Sequence, residues 1–270
     1  SYIDFLELFG ECFRILAQEF PEIDYFEPTN EPDLYNGQNL CKNGYEWQGA
    51  DNGEYLWSDY DGAHIVADMM WYARKGVKEI NKNAKIVMPA LCGYSTTPDY
   101  LNEIYQAIES KTLPSGSDTA YVNPDDYFDI LNWHPYLLEE GASEMNDEWC
   151  DLQKEIYAVA KEHGDDEKPV WFTEMGFTDL GSEQKMEENA EDLVKMLDYV
   201  EKDLKFVESV FIFRVSNLTD KAGMNSFENN FGLFYSLNDT NSGKSGQPKP
   251  IAVALYKYFK GEKASLEPLY

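Results

Sequence analysis

Two glutamates, Glu31 and Glu174, each stand where an apolar, strand-like stretch runs out into polar residues. A carboxylate at the end of such a strand carries a desolvation penalty if it is left unpaired, so two of them point to groups in use or groups neutralised by cations. The plainer alternative is that each faces solvent in a loop. Other strand-like stretches end in His134-Pro135-Tyr136 and in Arg214 with Ser216, while Asn30 precedes Glu31 and Thr173 precedes Glu174. His134 and Tyr136 are two apart and share one face of an extended strand. Their bland reading is a buried pair satisfied by backbone. Glu27 shares parity with Glu31, and side-chain alternation does not separate the two.

Several elements are needed to position these groups. Ile3, Leu6, Phe9, Phe13, Leu16 and Phe20 recur every three or four residues and predict a helix over 2–19. IDYFEPTNEPD reads as a first strand stopped by proline and turn formers, and residues 62–82 return to helical spacing. AKIVMPAL is the second strand, followed by a helix near 98–110, the strand DYFDILNWHPY and a helix over 147–163 that stops at Gly164. KPVWFTEMGF, a charged helix from about 182 to 204, the strand ESVFIFRVSN, an irregular loop and the helix KPIAVALYKYF complete the order.

Five strands alternating with six helices imply a parallel sheet, since parallel neighbours need a crossover and a helix is the usual one. The apolar run VFIF is expected to be buried on both faces. Either an open doubly wound sheet or part of an eight-stranded barrel satisfies this pattern, and in both the chemistry gathers at the carboxyl ends of the strands. One domain over residues 1–270 is the simplest reading.

Composition narrows the function. The chain has 270 residues, 43% of them hydrophobic, enough for a packed core. Fifty acidic against 22 basic side chains leave a net charge of −28, which repels phosphate backbones and anionic lipid, so nucleic acid and membrane are poor partners. Cys12, Cys41, Cys92 and Cys150 lack C-x-x-C spacing, and His64, His134 and His163 are too scattered for an obvious metal cage. SGKS at 242–245 lacks the first glycine of a phosphate loop, and no H-E-x-x-H, G-x-S-x-G or G-x-G-x-x-G occurs. No cofactor is implied. The acidic balance and the acceptor sequences Asn217-Leu218-Thr219 and Asn238-Asp239-Thr240 suit a secreted protein. The first residue is not Met, so either a leader has been removed or the sequence is part of something longer.

Taken in order, FEPTNEPD, NWHPY and KPVWFTEMGF resemble the retaining glycoside hydrolases of clan A, nearest in style to families 39 and 5. The resemblance extends from the opening helix to the last. It implies a (β/α)8 TIM barrel in which the Asn-Glu strand is the fourth and the second glutamate ends the seventh. Cleavage with retention needs one carboxylate to attack the anomeric carbon and a protonated one to donate to the departing oxygen. The resemblance makes Glu31 the acid/base and Glu174 the nucleophile. It makes Tyr136 a donor to Glu174, His134 an orienting group for the acid/base or a sugar hydroxyl, and Asn30 a partner of the sugar 2-hydroxyl. Asn30 as a turn residue before Pro32 is the alternative.

Sugars bind on flat aromatic rings, and Tyr35, Tyr45, Trp47, Tyr55, Trp57 and Tyr60 fill the stretch after the first strand, with Trp133 beside the His-x-Tyr pair. Trp57 is the preferred candidate; a local mini-core is the rival reading for each ring. Where many clan members have a tryptophan ending strand eight, this chain reads FIFRVSN, and Arg214 suits either an acidic sugar or a structural ion pair. With the Asn-Glu strand as the fourth, the chain covers strands 4 to 8. An amino-terminal segment carrying strands 1 to 3 is then missing, swapped or supplied by a partner chain. Two rival functions remain: a carbohydrate-binding or scaffold protein that has lost turnover, and an open α/β protein binding a nucleotide or flavin, which no glycine-rich turn supports.

Overall fold

The computed structural model describes residues 2–33, 62–110, 123–137, 145–218, 226–238, 243–263 and 265–268, which fall into two compact units. The first unit comprises Ser1–Pro135 and Leu152–Thr173, the second Tyr136–Asp151 and Glu174–Tyr270.

In the first unit, helix α1 (Tyr2–Glu19) packs along helix α2 (Gly62–Ile80). The apolar spacing puts Leu6, Phe13 and Ala17 of α1, and Ile65, Met69, Ala73 and Val77 of α2, in the core. The helices approach so closely that a Cβ on Gly76 would lie 2.1 Å from the Gly10 carbonyl oxygen, so only glycine fits at 76. Strand β1 (Tyr25–Phe26) pairs in parallel with β2 (Lys85–Ile86). The bridge from Val87 to Ile130 carries the ladder on to β3 (Leu131–Asn132). Strand β3 then pairs in parallel with β4 (Val170–Met175), Leu131 beside Val170 and Asn132 beside Trp171. Helix α3 (Thr97–Glu109) lies between β2 and β3 in the chain, and α4 (Asp147–Glu162) leads into β4. Phe128, Trp133 and Phe172 are fully buried in this unit.

The paired spans of β1, β2 and β3 are shorter than their apolar runs predict, with isolated bridges Asn30 to Ala90 and Leu91 to Trp133 continuing the ladder. Proline explains the interruptions. Pro28, Pro32, Pro89 and Pro135 sit in or just after these stretches and have no N–H to give to a ladder.

The second unit holds the end of β4, helix α5 (Glu183–Lys202), strand β5 (Val207–Ile212), a one-turn helix α6 (Ser226–Asn229) and α7 (Pro250–Lys260). The Ser182 hydroxyl caps α5 by accepting from the Lys185 amide. Helix α5 buries Met186, Ala190, Leu193 and Met196, and α7 packs against it. Two sequence expectations are corrected in this unit. VFIF is not buried on both faces, Phe211 being 47% exposed, because apolar composition sets what a strand can bury and not what covers it. Helix α6 lies in the stretch read as irregular loop; one turn is too short to show a 3.6-residue period. The observed architecture is α/β with parallel strands, and no helix among the described residues is long and apolar enough to cross a membrane.

Candidate functional site

Around Glu31 the chain leaves the strand path. Its amide donates to the Ala90 carbonyl at 2.8 Å, and its backbone takes a left-handed conformation with φ 44°. Such a conformation costs a non-glycine residue on the order of 1–3 kcal/mol, and it persists where surrounding contacts over-determine it. Asp33 supplies those contacts. One carboxylate oxygen accepts from the Cys92 amide at 2.8 Å and the other from the Thr97 hydroxyl at 2.9 Å, tying the Asn-Glu-Pro-Asp turn to the segment after β2. Burial raises the Asp33 carboxyl, and these hydrogen bonds pull it partly back. Burial, then the nearby Asp33 and Glu31 carboxylates, drive the Cys92 thiol far up and leave it neutral and inert.

His134 is fully buried, with Nδ1 2.9 Å from Glu31 Oε1 and Nε2 3.0 Å from Thr173 Oγ1. Thr173 is held in turn by the buried Asn132 amide, whose Nδ2 lies 2.9 Å from the hydroxyl. Gly93 closes on the same strand end: at φ 70°, a Cβ there would lie 2.6 Å from the His134 carbonyl oxygen. Asn30 is exposed, its backbone bridged to Ala90. Glu27, which alternation left level with Glu31, is engaged elsewhere. Its Oε1 accepts from the Ala90 amide at 3.1 Å.

In the second unit Glu174 lies within the regular strand β4, and the Tyr136 hydroxyl donates to its Oε2 at 2.9 Å. Tyr136 is itself fixed edge-on against Phe231, ring centroids 5.7 Å apart. The guanidinium of Arg214 lies over the Phe213 ring, 5.4 Å from its centroid.

Trp57 and the other aromatic residues of 35–60 lie outside the described residues. Trp133 is a core residue and not a platform: it is fully buried and its indole N–H donates to Gln153 Oε1 at 2.7 Å. Asn217, the acceptor of one glycan sequence, spends its side chain on Asn230 and on the Gly232 amide. Sequence reasoning missed Asp33 and Asn132. Asp33 was part of the motif FEPTNEPD, and a third carboxylate so close behind Pro32 was the available signal. Asn132 has the same parity as His134 and Tyr136, a buried amide at the end of an apolar strand.

A fold of parallel strands with carboxylates and their hydrogen-bond partners at the strand ends defines a class of α/β enzyme scaffold, and comparison with known proteins places the chain within it. Residues 66–240 match the family model described as glycosyl hydrolase catalytic core, and the chain belongs to that family. The resemblance to clan A glycoside hydrolases read from its motifs is thereby borne out. No curated protein matches the sequence.

Among solved structures, the chain is similar to a monomeric β-xylosidase from Caulobacter crescentus CB15, with 18% identity, a TM-score of 0.56, and coverage of 98% of this chain and 48% of that one. A GH39 enzyme from Xanthomonas axonopodis pv. citri gives 19% identity, a TM-score of 0.58, and coverage of 97% and 46%. A GH2 β-galacturonidase from Eisenbergiella tayi, bound to galacturonate, gives 13%, 0.56, and 95% and 37%. At these identities the likeness speaks for the fold, that of TIM-barrel glycosidases. The chain spans about half the length of the first two structures, 48% and 46%.

Proposed function

We propose that this chain carries both catalytic carboxylates of a retaining glycoside hydrolase, acting on β-linked oligosaccharide or polysaccharide outside the cell. Glu174 attacks the anomeric carbon as Glu31 gives a proton to the departing glycosidic oxygen. Glu31 then takes a proton from water, and the resulting hydroxide displaces Glu174. In this reading the described strands are the fourth to eighth of the barrel, and Asn30 bonds the sugar 2-hydroxyl.

The observation that carries the proposal is that each glutamate has a side-chain hydrogen-bond partner at 2.9 Å, an imidazole for Glu31 and a phenol for Glu174, so that the two partners differ in kind. A phenol hydroxyl holds one oxygen of Glu174 and fixes how its carboxylate faces for attack. An imidazole beside Glu31 orients a group that must change its protonation state twice per turnover. The β-xylosidase and β-galacturonidase among the structural relatives support a β-linked substrate. The test is the stereochemistry of turnover in the intact protein. Proton NMR of the first sugar released from aryl β-glycosides is expected to show the β-anomer before mutarotation. Initial release of the α-anomer, or binding without hydrolysis across a panel of β-glycosides, contradicts the proposal.

A further inference from the structure

We propose that Thr173 is a positioning residue that holds His134 in the Nδ1–H tautomer, so that the imidazole donates to Glu31 through the whole cycle; this rests on the acid/base reading of Glu31. Four side chains, Glu31, His134, Thr173 and Asn132, share their protons in one chain, with His134 and Asn132 buried. Asn132 Nδ2 lies 3.2 Å from the Met88 carbonyl, which can only accept, and Asn132 Oδ1 lies 3.2 Å from the Thr173 amide, which can only donate. These two contacts fix which way the amide faces. The second Nδ2 proton then points to Thr173 Oγ1 at 2.9 Å. The hydroxyl has one proton of its own, with two places to put it: His134 Nε2 at 3.0 Å or Asn132 Oδ1 at 3.1 Å.

Given to Nε2, that proton satisfies every member of the chain. Nδ2 donates to Met88 and to Thr173, Oδ1 accepts from the Thr173 amide, Oγ1 donates to Nε2, and Nδ1–H donates to Glu31 Oε1 at 2.9 Å. Given to Oδ1, it makes Nε2 the donor. Nδ1 must then either face a carboxylate lone pair, take the Glu31 proton, or carry a second proton as an imidazolium at a site with no exposure. The first is repulsive, the second removes the proton the leaving group needs, and the third buries a charge.

The consequence lies on Glu31. With Nδ1–H fixed on Oε1, that oxygen accepts in both states of the carboxyl group, and the catalytic proton travels on Oε2. It leaves Oε2 for the glycosidic oxygen, and the proton that returns from water comes back to Oε2. No proton is exchanged with His134.

Nitrogen-15 NMR of the intact protein labelled at histidine reads the tautomer directly, because the chain contributes three histidines and His134 is identified by its loss in His134→Gln. The expected spectrum at neutral pH is a neutral ring protonated at Nδ1 and bare at Nε2. Thr173→Val is expected to move that signal to the Nε2–H form or the imidazolium and to lower kcat on unactivated glycosides about 10- to 100-fold with KM nearly unchanged. Thr173→Ser restores both. An Nε2–H or doubly protonated ring in the parent protein, or a Thr173→Val protein with an unchanged tautomer, overturns the proposal. The parent spectrum is taken without substrate. Failure of turnover alongside the expected spectrum would therefore sink the acid/base reading and spare the tautomer lock.

Discussion

Glu31 and Glu174 are the same residue in two different mountings. Glu174 sits in a regular six-residue strand with a tyrosine hydroxyl on one oxygen. Glu31 sits off the ladder, in a left-handed backbone clamped by Asp33, with His134, Thr173 and Asn132 strung behind it. A group that must stay ionised needs little beyond a firm donor on a rigid element. A group that must be both acid and base needs a partner whose own protons are fixed by something else, and that costs buried polar groups and local strain. The difference in construction is thus what a difference in role would require.

The largest effects should come from removing each carboxylate, and they should differ in kind. Glu174→Ala is expected to abolish turnover of every substrate. Glu31→Ala should cost about 10²- to 10⁴-fold with a poor leaving group and far less in bond cleavage with an activated aryl group, which needs no proton. Steady-state kinetics on a leaving-group series checks this; equal losses across the series for both variants would erase the comparison.

The second region also contains a buried lysine–aspartate ion pair. Lys249, fully buried at the start of α7, donates to Asp179 at 2.5 Å and to the Asn230 carbonyl at 3.2 Å. Burial lowers the lysine, and Asp179 offsets this in part. Lys249→Ala strands a buried carboxylate and is expected to destabilise the fold by about 3–5 kcal/mol in denaturant titrations, with Asp179→Asn/Lys249→Met recovering much of it.

Smaller effects separate the two mountings. Tyr136→Phe removes one donor from Glu174 and should lower kcat about 10- to 100-fold while leaving the unfolding midpoint nearly unchanged. Asp33→Asn should instead lower both, since the clamp that holds Glu31 in its strained backbone also joins two loops of the fold. Comparable unfolding midpoints for the two variants would mean that the clamp does not bear strain.

A further expected effect is a pH dependence of stability that involves neither glutamate. Burial lifts the Asp68 carboxyl from 3.8 to about 7, against the opposing hydrogen bond from Tyr2 and the charge of His64. The folded state therefore binds this proton more tightly than the unfolded chain. Its contribution to stability is full below about pH 4 and is lost as the pH rises to about 7. Asp68→Asn should flatten that part of the curve, raising the melting temperature above the parent's at pH 8 and leaving it unchanged at pH 4.

Much of this was legible in the sequence because period and punctuation carried it. Helices α1, α2, α4 and α5 follow from apolar spacing and their stops, and the strand-end positions of Glu31, His134, Tyr136 and Glu174 follow from where apolar runs meet polar residues. What was not legible depends on pairs distant in sequence. Nothing local marks Asp33 as the partner of Cys92 and Thr97, or Lys249 as a buried residue whose counterion is 70 positions away. Glu27 and Glu31 were inseparable by alternation; the Ala90 amide that Glu27 bonds belongs to another strand. The ladders of β1 to β3 are shorter than their apolar runs because a proline has no N–H to give to a ladder, a gap that apolar composition does not show.

Covalent trapping asks most directly whether Glu174 and Glu31 have separate tasks. A 2-deoxy-2-fluoro β-glycoside with an activated leaving group, incubated with the intact protein and followed by peptide mapping in a mass spectrometer, should leave the sugar esterified to Glu174. The label on Glu31 or Glu27, or no label from a glycoside that is turned over, would contradict it.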